Sequence, residues 1–139
     1  MKTFLLRKVL PLGAGLAVAF AIMMAFEYVN SFYYPLPEGL DFADPAALRE
    51  FTATLPWTAY VLVLAGWVTG SFFAGIVVTL LSRETAYSLS LAAGIILTLL
   101  GIANNITIGH DMFFNLVGLP MFLIFTYLGH KLTRAKILT

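Results

Sequence analysis

The residues that could do chemistry lie at the ends of long apolar segments. Glu27 closes the first of these segments, and His110 and Asp111 open the last. Four neutral amide side chains lie near the corresponding ends of these segments: Asn30, Asn104, Asn105 and Asn115. If the segments pack side by side, these residues form a polar pocket at one end of the helices. Glu27 and His110 could exchange a proton or bind a cation there, because histidine changes its charge near neutral pH.

A structural role explains the same residues, and the sequence favours it. Asp111 suits the N-cap of a helix, His110 suits a loop, and the flexible side chain of Glu27 can reach the lipid headgroups. A zinc site needs several placed ligands, so one His-Asp dipeptide predicts no metal. The serines have no neighbouring nucleophile signature, and the glycines lie within apolar segments rather than in a phosphate-binding loop. We therefore expect no catalytic residue, no metal and no cofactor, and the sequence favours a non-enzymatic protein.

The composition is that of a protein dissolved in lipid. Of its 139 residues, 60% are hydrophobic and 11% are charged, whereas soluble domains have about 25% charged residues. The mean hydropathy is +0.93. The chain has no cysteine, which excludes disulfides and thiol chemistry. A net charge of +1 with scattered basic residues gives no reason to expect a nucleic-acid partner. We expect one transmembrane domain over residues 1–139, with the lipid bilayer as its first partner.

The apolar segments set the predicted architecture. The longest uncharged stretch, Trp57 to Leu81, has 25 residues and can cross a hydrocarbon core of ~30 Å. Asp44 and Pro45 predict the N-cap and first residue of a short amphipathic helix that ends near Thr54. The predicted fold is an all-α integral membrane four-helix bundle with this short helix in the external loop between helices 1 and 2. The four predicted spans cover residues 9–29, 57–81, 86–103 and 112–129. The predicted external loop covers residues 30–56.

The first apolar segment has an alternative interpretation as a signal peptide. Its basic start and the run Ala19-Phe20-Ala21 fit such a segment. The uncharged run is longer than the apolar core of most signal peptides, which favours an uncleaved first span.

Small residues recur on one face of three predicted spans. In lipid, apolar surface does not drive helices together, so small residues act by allowing close approach. We expect the stripe on the first span to pack against the stripe on the second. The predicted packing residues are Gly13, Ala17, Ala21, Ala25, Ala59, Gly66, Gly70, Ala74, Ser90, Gly94 and Gly101.

One part of the chain carries a resemblance to a known group of proteins. The run YPLPEGLDFADPAALREFTATLP, followed by the glycine-containing helix with Trp67, resembles small bacterial four-helix inner-membrane proteins of unassigned function. The resemblance covers roughly Tyr34 to Gly75. It implies a multi-pass protein of the inner (plasma) membrane, and it implies no activity.

Packing stripes without a catalytic constellation favour a function based on association. We expect a non-enzymatic integral membrane protein that acts as a homo-oligomer or as a small subunit of a larger membrane complex. A small transporter or channel, entered near Glu27, His110 and Asp111, is an alternative. A membrane enzyme that acts on a lipid or another hydrophobic substrate is a further alternative.

The basic residues predict the orientation in the membrane. With four spans, seven of the eight Lys and Arg residues lie on one side, and only Arg49 lies on the other. Basic residues accumulate on the cytoplasmic side. We therefore expect both termini in the cytoplasm and residues 30–56 outside.

Cysteine labelling tests this orientation, because the chain has no native cysteine. An impermeant thiol reagent applied to intact cells should label Gly39→Cys and should leave Ser82→Cys unlabelled. Permeabilised cells serve as the control and should give labelling of both variants. The opposite pattern in intact cells would contradict the predicted topology.

Overall fold

All regular secondary structure in the part of the chain that the structure describes is helical. This computed structural model describes residues 4–41, 43–82, 86–109 and 112–138. A π-helical turn, Leu5–Val9, leads into the first long helix. The five α-helices are α1 (Leu10–Tyr33), α2 (Pro45–Thr54), α3 (Trp57–Ser82), α4 (Ala86–Ile108) and α5 (Met112–Leu138).

Four of these helices are long and apolar enough to span a membrane. The qualifying stretches are Leu6–Tyr33, Trp57–Ser82, Ala86–Ile108 and Met112–Ile137. Large apolar side chains on all four helices face outward, for example Phe20, Leu80, Leu99 and Leu116. An apolar outer surface of this extent would drive aggregation in water and is stable in lipid. The fold is therefore compatible with a multi-pass membrane protein.

α4 is longer than the sequence predicted. It continues through Asn104 to Ile108, which the sequence analysis assigned to a polar loop. The hydroxyl of Thr107 donates to the carbonyl oxygen of Ala103 at 3.2 Å, so this polar side chain is satisfied within the helix. The helix ends at Gly109, whose φ of +77° only glycine adopts readily. His110 and Asp111 lie outside the described residues.

α5 also extends further, to Leu138 rather than Gly129. Lys131, Arg134 and Lys136 lie in its last turns. Cations near the C-terminal end of a helix are favourable because they oppose the helix dipole. The predicted span ended at residue 129, before these residues, and in the structure they are part of the helix.

α2 is a short cap on one end of the long helices. The Asp44 side chain accepts a hydrogen bond from the backbone amide of Ala46 at 2.9 Å, and Pro45 occupies the first position of the helix. Leu48 and Thr52 form the buried face of α2.

α3 is the helix against which the others pack. It contacts α1, α4 and α5, whereas α1 and α4 contact each other little. Its closest approach is to α5, where a methyl group on Gly75 would overlap the carbonyl oxygen of Thr126. On the α1 side, a Cβ on Gly70 would lie 2.9 Å from the carbonyl oxygen of Ala19. The Trp67 ring of α3 packs against the ring of Phe122 with centroids 4.7 Å apart.

Two of the three predicted small-residue stripes are buried in the structure, and the third is exposed. On α3 and α4 they are buried: Ala59, Gly66, Gly70, Ala74, Ser90, Gly94 and Gly101. On α1 they are exposed: Gly13, Ala17, Ala21 and Ala25. The row of α1 that faces α3 contains Gly15 and Ala19 instead. The two rows are two residues apart, which places them about 200° apart around a helix. The structure therefore corrects the predicted pairing, since a different face of α1 meets α3.

Two glycine substitutions test the close contact between α3 and α5. Gly75→Ala should lower the free energy of unfolding by about 1–3 kcal/mol, because its methyl group forces the two backbones apart. Gly13→Ala is the matched control, since nothing lies within 4 Å of its added Cβ. It should be neutral or stabilising by up to about 1 kcal/mol, because alanine favours the helix. Unfolding in mild detergent measures both. A Gly75→Ala variant as stable as the Gly13→Ala variant would contradict the packing described above.

Candidate functional site

A cavity of about 360 Å³ lies at the end of the long helices where α2 sits. We call it the α2 cavity. It lies between α1 and α4, which make few contacts with each other. Leu48 and Phe51 of α2 cover it, and Ala59 and Val63 of α3 form part of its wall.

A second space continues from the α2 cavity between α1 and α4. This α1–α4 groove has a volume of about 500 Å³. It shares Glu27, Asn104, Thr107 and Ile108 with the α2 cavity. Its other lining residues are apolar: Phe20, Met23, Met24, Trp67, Leu97, Leu100, Gly101, Ala103 and Phe122. The two spaces therefore meet at one polar junction.

Hydrogen bonds hold α2 over the cavity. The Tyr60 hydroxyl of α3 donates to the carbonyl oxygen of Thr52 at 2.6 Å. The Arg49 guanidinium donates to the carbonyl oxygen of Ile106, near the end of α4, at 3.0 Å. α2 is thus tied to two of the long helices rather than lying free on their ends.

The hydroxyl groups that line the α2 cavity take part in hydrogen bonds within the protein. Three of them bond to a carbonyl oxygen three or four residues earlier in the chain. Another is shared between Tyr34 and Thr58, and the last is the Tyr60 hydroxyl described above. These lining residues are Ser31, Tyr34, Thr52, Tyr60 and Thr107.

Three polar side chains of the cavity, Glu27, Asn30 and Asn104, have no hydrogen-bond partner among the described residues. Asn30 is only 8% exposed, and its Oδ1 atom has no hydrogen-bond donor among the described residues. The carboxyl group of Glu27 likewise has no hydrogen-bond or ion-pair partner within the described part of the chain. A buried acceptor without a donor costs about 1–3 kcal/mol. A donor that enters the cavity, from water or from a ligand, would recover that energy.

The residues of the predicted polar pocket are not all in one place. Glu27, Asn30 and Asn104 come together in the α2 cavity. Asn105 and Asn115 line a separate groove of about 380 Å³ between α4 and α5. Asn104 and Asn105 point to different spaces because consecutive residues are about 100° apart on a helix. His110 and Asp111 lie outside the described residues, and within the described ranges no three His, Asp or Glu side chains converge as metal ligands.

Sequence analysis missed a polar cluster at the opposite end of the helices. His130 is buried, with 7% of its surface exposed, and its Nδ1 atom lies 3.0 Å from the Thr79 hydroxyl. That hydroxyl donates to the carbonyl oxygen of Gly75 at 2.7 Å. The cluster links α5 to α3 at the level of the α5 basic residues. The sequence signal was the spacing of Thr126, His130 and Thr133, which places them on one side of α5.

The hydroxyl groups in the middle of the spans do not form a polar path. Ser71, Thr98 and Thr126 each donate to the carbonyl oxygen four residues earlier in their own helix, at 2.6, 2.8 and 2.6 Å. Such bonds satisfy a hydroxyl locally. The transporter interpretation gains no support from these residues.

Comparison of the chain with protein-family models, curated protein sequences and solved structures found no match. The resemblance of the segment from Tyr34 to Gly75 to small bacterial membrane proteins therefore stays a prediction. The function has to be inferred from the fold and from the α2 cavity with its groove.

Proposed function

We propose that this chain is a non-enzymatic membrane protein that binds an amphiphilic ligand. The polar part of the ligand lies in the α2 cavity, and its apolar part lies in the α1–α4 groove. The observation that carries this proposal is the junction at Glu27, Asn104 and Thr107, which belongs to both spaces. Both spaces have mostly apolar walls, and more polar side chains line the α2 cavity than the groove. An amphiphile with its headgroup in the cavity and its chain in the groove fits this distribution.

The size and the lining support binding of a small molecule. Ligand pockets in proteins have volumes of about 300–1,000 Å³ and apolar walls with a few placed polar groups. The α2 cavity and the groove fall within this range. Most of the hydroxyl groups along the cavity are engaged in hydrogen bonds that shape the protein, so the lining is suited to holding a ligand rather than to transforming it.

The aromatic residues support a position at the membrane surface. Tyr28, Phe32, Tyr33 and Trp57 are exposed around the end of the helices that carries α2. Tyrosine and tryptophan concentrate at the boundary between lipid and water. We propose that the four long helices form a bundle in the inner (plasma) membrane, with the α2 end external and both termini cytoplasmic. The distribution of basic residues supports this orientation.

A second function is favoured by the exposed stripe of α1. Gly13, Ala17, Ala21 and Ala25 are exposed on the face of α1 opposite α3. In lipid, small residues let another helix approach closely. This supports association of the protein through α1, with a second copy as the simplest partner, which was the leading expectation from sequence.

Tryptophan quenching tests ligand binding in the groove. The chain has two tryptophans; Trp67 is 6% exposed and lines the groove, whereas Trp57 is 74% exposed. In a Trp57→Phe background, phospholipids brominated in their chains should quench Trp67, because a chain in the groove brings bromine against the indole. Thr107→Phe should reduce the quenching several-fold by filling the junction.

Thr54→Phe is the matched control, since Thr54 is an exposed helical threonine that does not line either space. It should leave the quenching unchanged. Absence of quenching in the Trp57→Phe protein would contradict the proposed binding.

Energy transfer between labelled copies tests association through α1. Ala21→Leu should lower the transfer measured in liposomes at a fixed ratio of protein to lipid, because the larger side chain separates the helices. Ala135→Leu, an exposed alanine of α5, should not change it. Equal transfer in both variants, or none in the unmodified protein, would contradict association through this face.

A further inference from the structure

Three polar side chains that line the α2 cavity have no hydrogen-bond partner among the described residues: Glu27, Asn30 and Asn104. The lining hydroxyls are engaged within the protein. Asn30 Oδ1 is buried without a donor, and Glu27, three residues earlier on α1, is exposed. Residues three apart share one face of a helix. A ligand that fits this pair must bring hydrogen-bond donors.

The charge of the lining residues indicates the charge of the ligand. Among the described residues that line the α2 cavity and the groove, Glu27 is the only one with a charged side chain. A carboxylate in an apolar surrounding favours a cationic partner, and a charged donor makes the stronger hydrogen bond. The Asn104 amide lies at the same junction and can donate to a neighbouring acceptor of the ligand.

The groove indicates that the cation carries a chain. Along α4 the lining runs from Thr107 down to Leu97. From Leu97 to Thr107 the helix rises by about 15 Å over ten residue steps, which is about half of a ~30 Å hydrocarbon core. A chain that starts at Glu27 and follows the groove would therefore extend through one leaflet. A small soluble cation would leave this space without an occupant.

We propose that the ligand is a membrane lipid with a protonated primary amine in its headgroup, with the ammonium group donating to Glu27 and to Asn30 Oδ1. This inference rests on the proposed binding of an amphiphile in the same space and adds the chemistry of its headgroup. A trimethylammonium headgroup carries the same charge but has no N–H donor. An anionic headgroup without an amine would place its charge against Glu27.

The test compares three lipids that have the same brominated acyl chains and different headgroups. The Trp57→Phe protein is placed in nanodiscs of unlabelled phosphatidylcholine with a small fraction of brominated phosphatidylethanolamine, phosphatidylcholine or phosphatidylglycerol. Phosphatidylethanolamine should quench Trp67 at about tenfold lower mole fraction than phosphatidylcholine or phosphatidylglycerol. A difference of this size is expected when the ligand gains charge-assisted hydrogen bonds. Free ethanolamine should not reverse the quenching, because it has no chain to fill the groove.

Two variants test whether Glu27 and Asn30 cause the preference for phosphatidylethanolamine. Glu27→Gln should remove most of the preference, and the control Glu38→Gln, in the exposed loop before α2, should retain it. Asn30→Leu removes the buried acceptor with little change in volume and should also weaken the preference. Asn30→Leu therefore provides an independent test if the Glu27→Gln variant does not fold.

The outcomes separate this inference from the function on which it rests. Equal quenching by all three brominated lipids would overturn the amine headgroup while leaving the binding of an amphiphile intact. Reversal by free ethanolamine would overturn a lipid as the source of the amine. A preference that survives both Glu27→Gln and Asn30→Leu would overturn the assignment to these residues. Failure of every brominated lipid to quench Trp67 would instead contradict the proposed function itself.

Discussion

The close contact of α3 with its neighbours is the constraint on which the rest of the structure depends. In lipid, helices gain nothing from removing apolar surface from water, so they associate through dispersion contacts at short range. Gly75 and Gly129 permit this, because a methyl group at either position would overlap a backbone carbonyl of the facing helix. Gly70 allows a similar approach to α1. α3 therefore holds α1 and α5 against different parts of its surface.

The space between α1 and α4 follows from this arrangement. α1 packs on α3, α4 packs on α5 and α3, and α1 and α4 make few contacts with each other, so no long helix fills the gap between them. The short helix α2 covers one end of that gap through Tyr60 and Arg49. Glu27, Asn30 and Ser31, polar residues near the end of an otherwise apolar helix, face the covered end. A buried amide oxygen without a donor is rare in folded proteins; the described residues hold more than one, Asn30 Oδ1 at the α2 cavity and Asn105 Oδ1 between α4 and α5.

Much of this fold could be predicted from the sequence, and part of the site could be. Apolar length predicted the four long helices, because the hydrocarbon core sets a minimum length. Grouping polar residues by their position near the helix ends placed Glu27, Asn30 and Asn104 together, and these three line the α2 cavity. It could not separate Asn105, which lies one position further around the helix and lines another groove. The packing row of α1 was not predictable, since both rows of that helix contain glycine and alanine. His130 was missed because a histidine beside lysines looks like part of a basic tail, whereas its contact with Thr79 depends on how α5 meets α3.

The most direct measurement of the central claim is an experimental structure of the protein in nanodiscs that contain phosphatidylethanolamine. The account predicts density for a lipid headgroup in the α2 cavity, with a donor atom about 2.7–3.2 Å from Asn30 Oδ1. The same density should continue as a chain past Glu27 toward Trp67. A groove closed by its own side chains, with Asn30 Oδ1 accepting from a protein donor, would contradict the account.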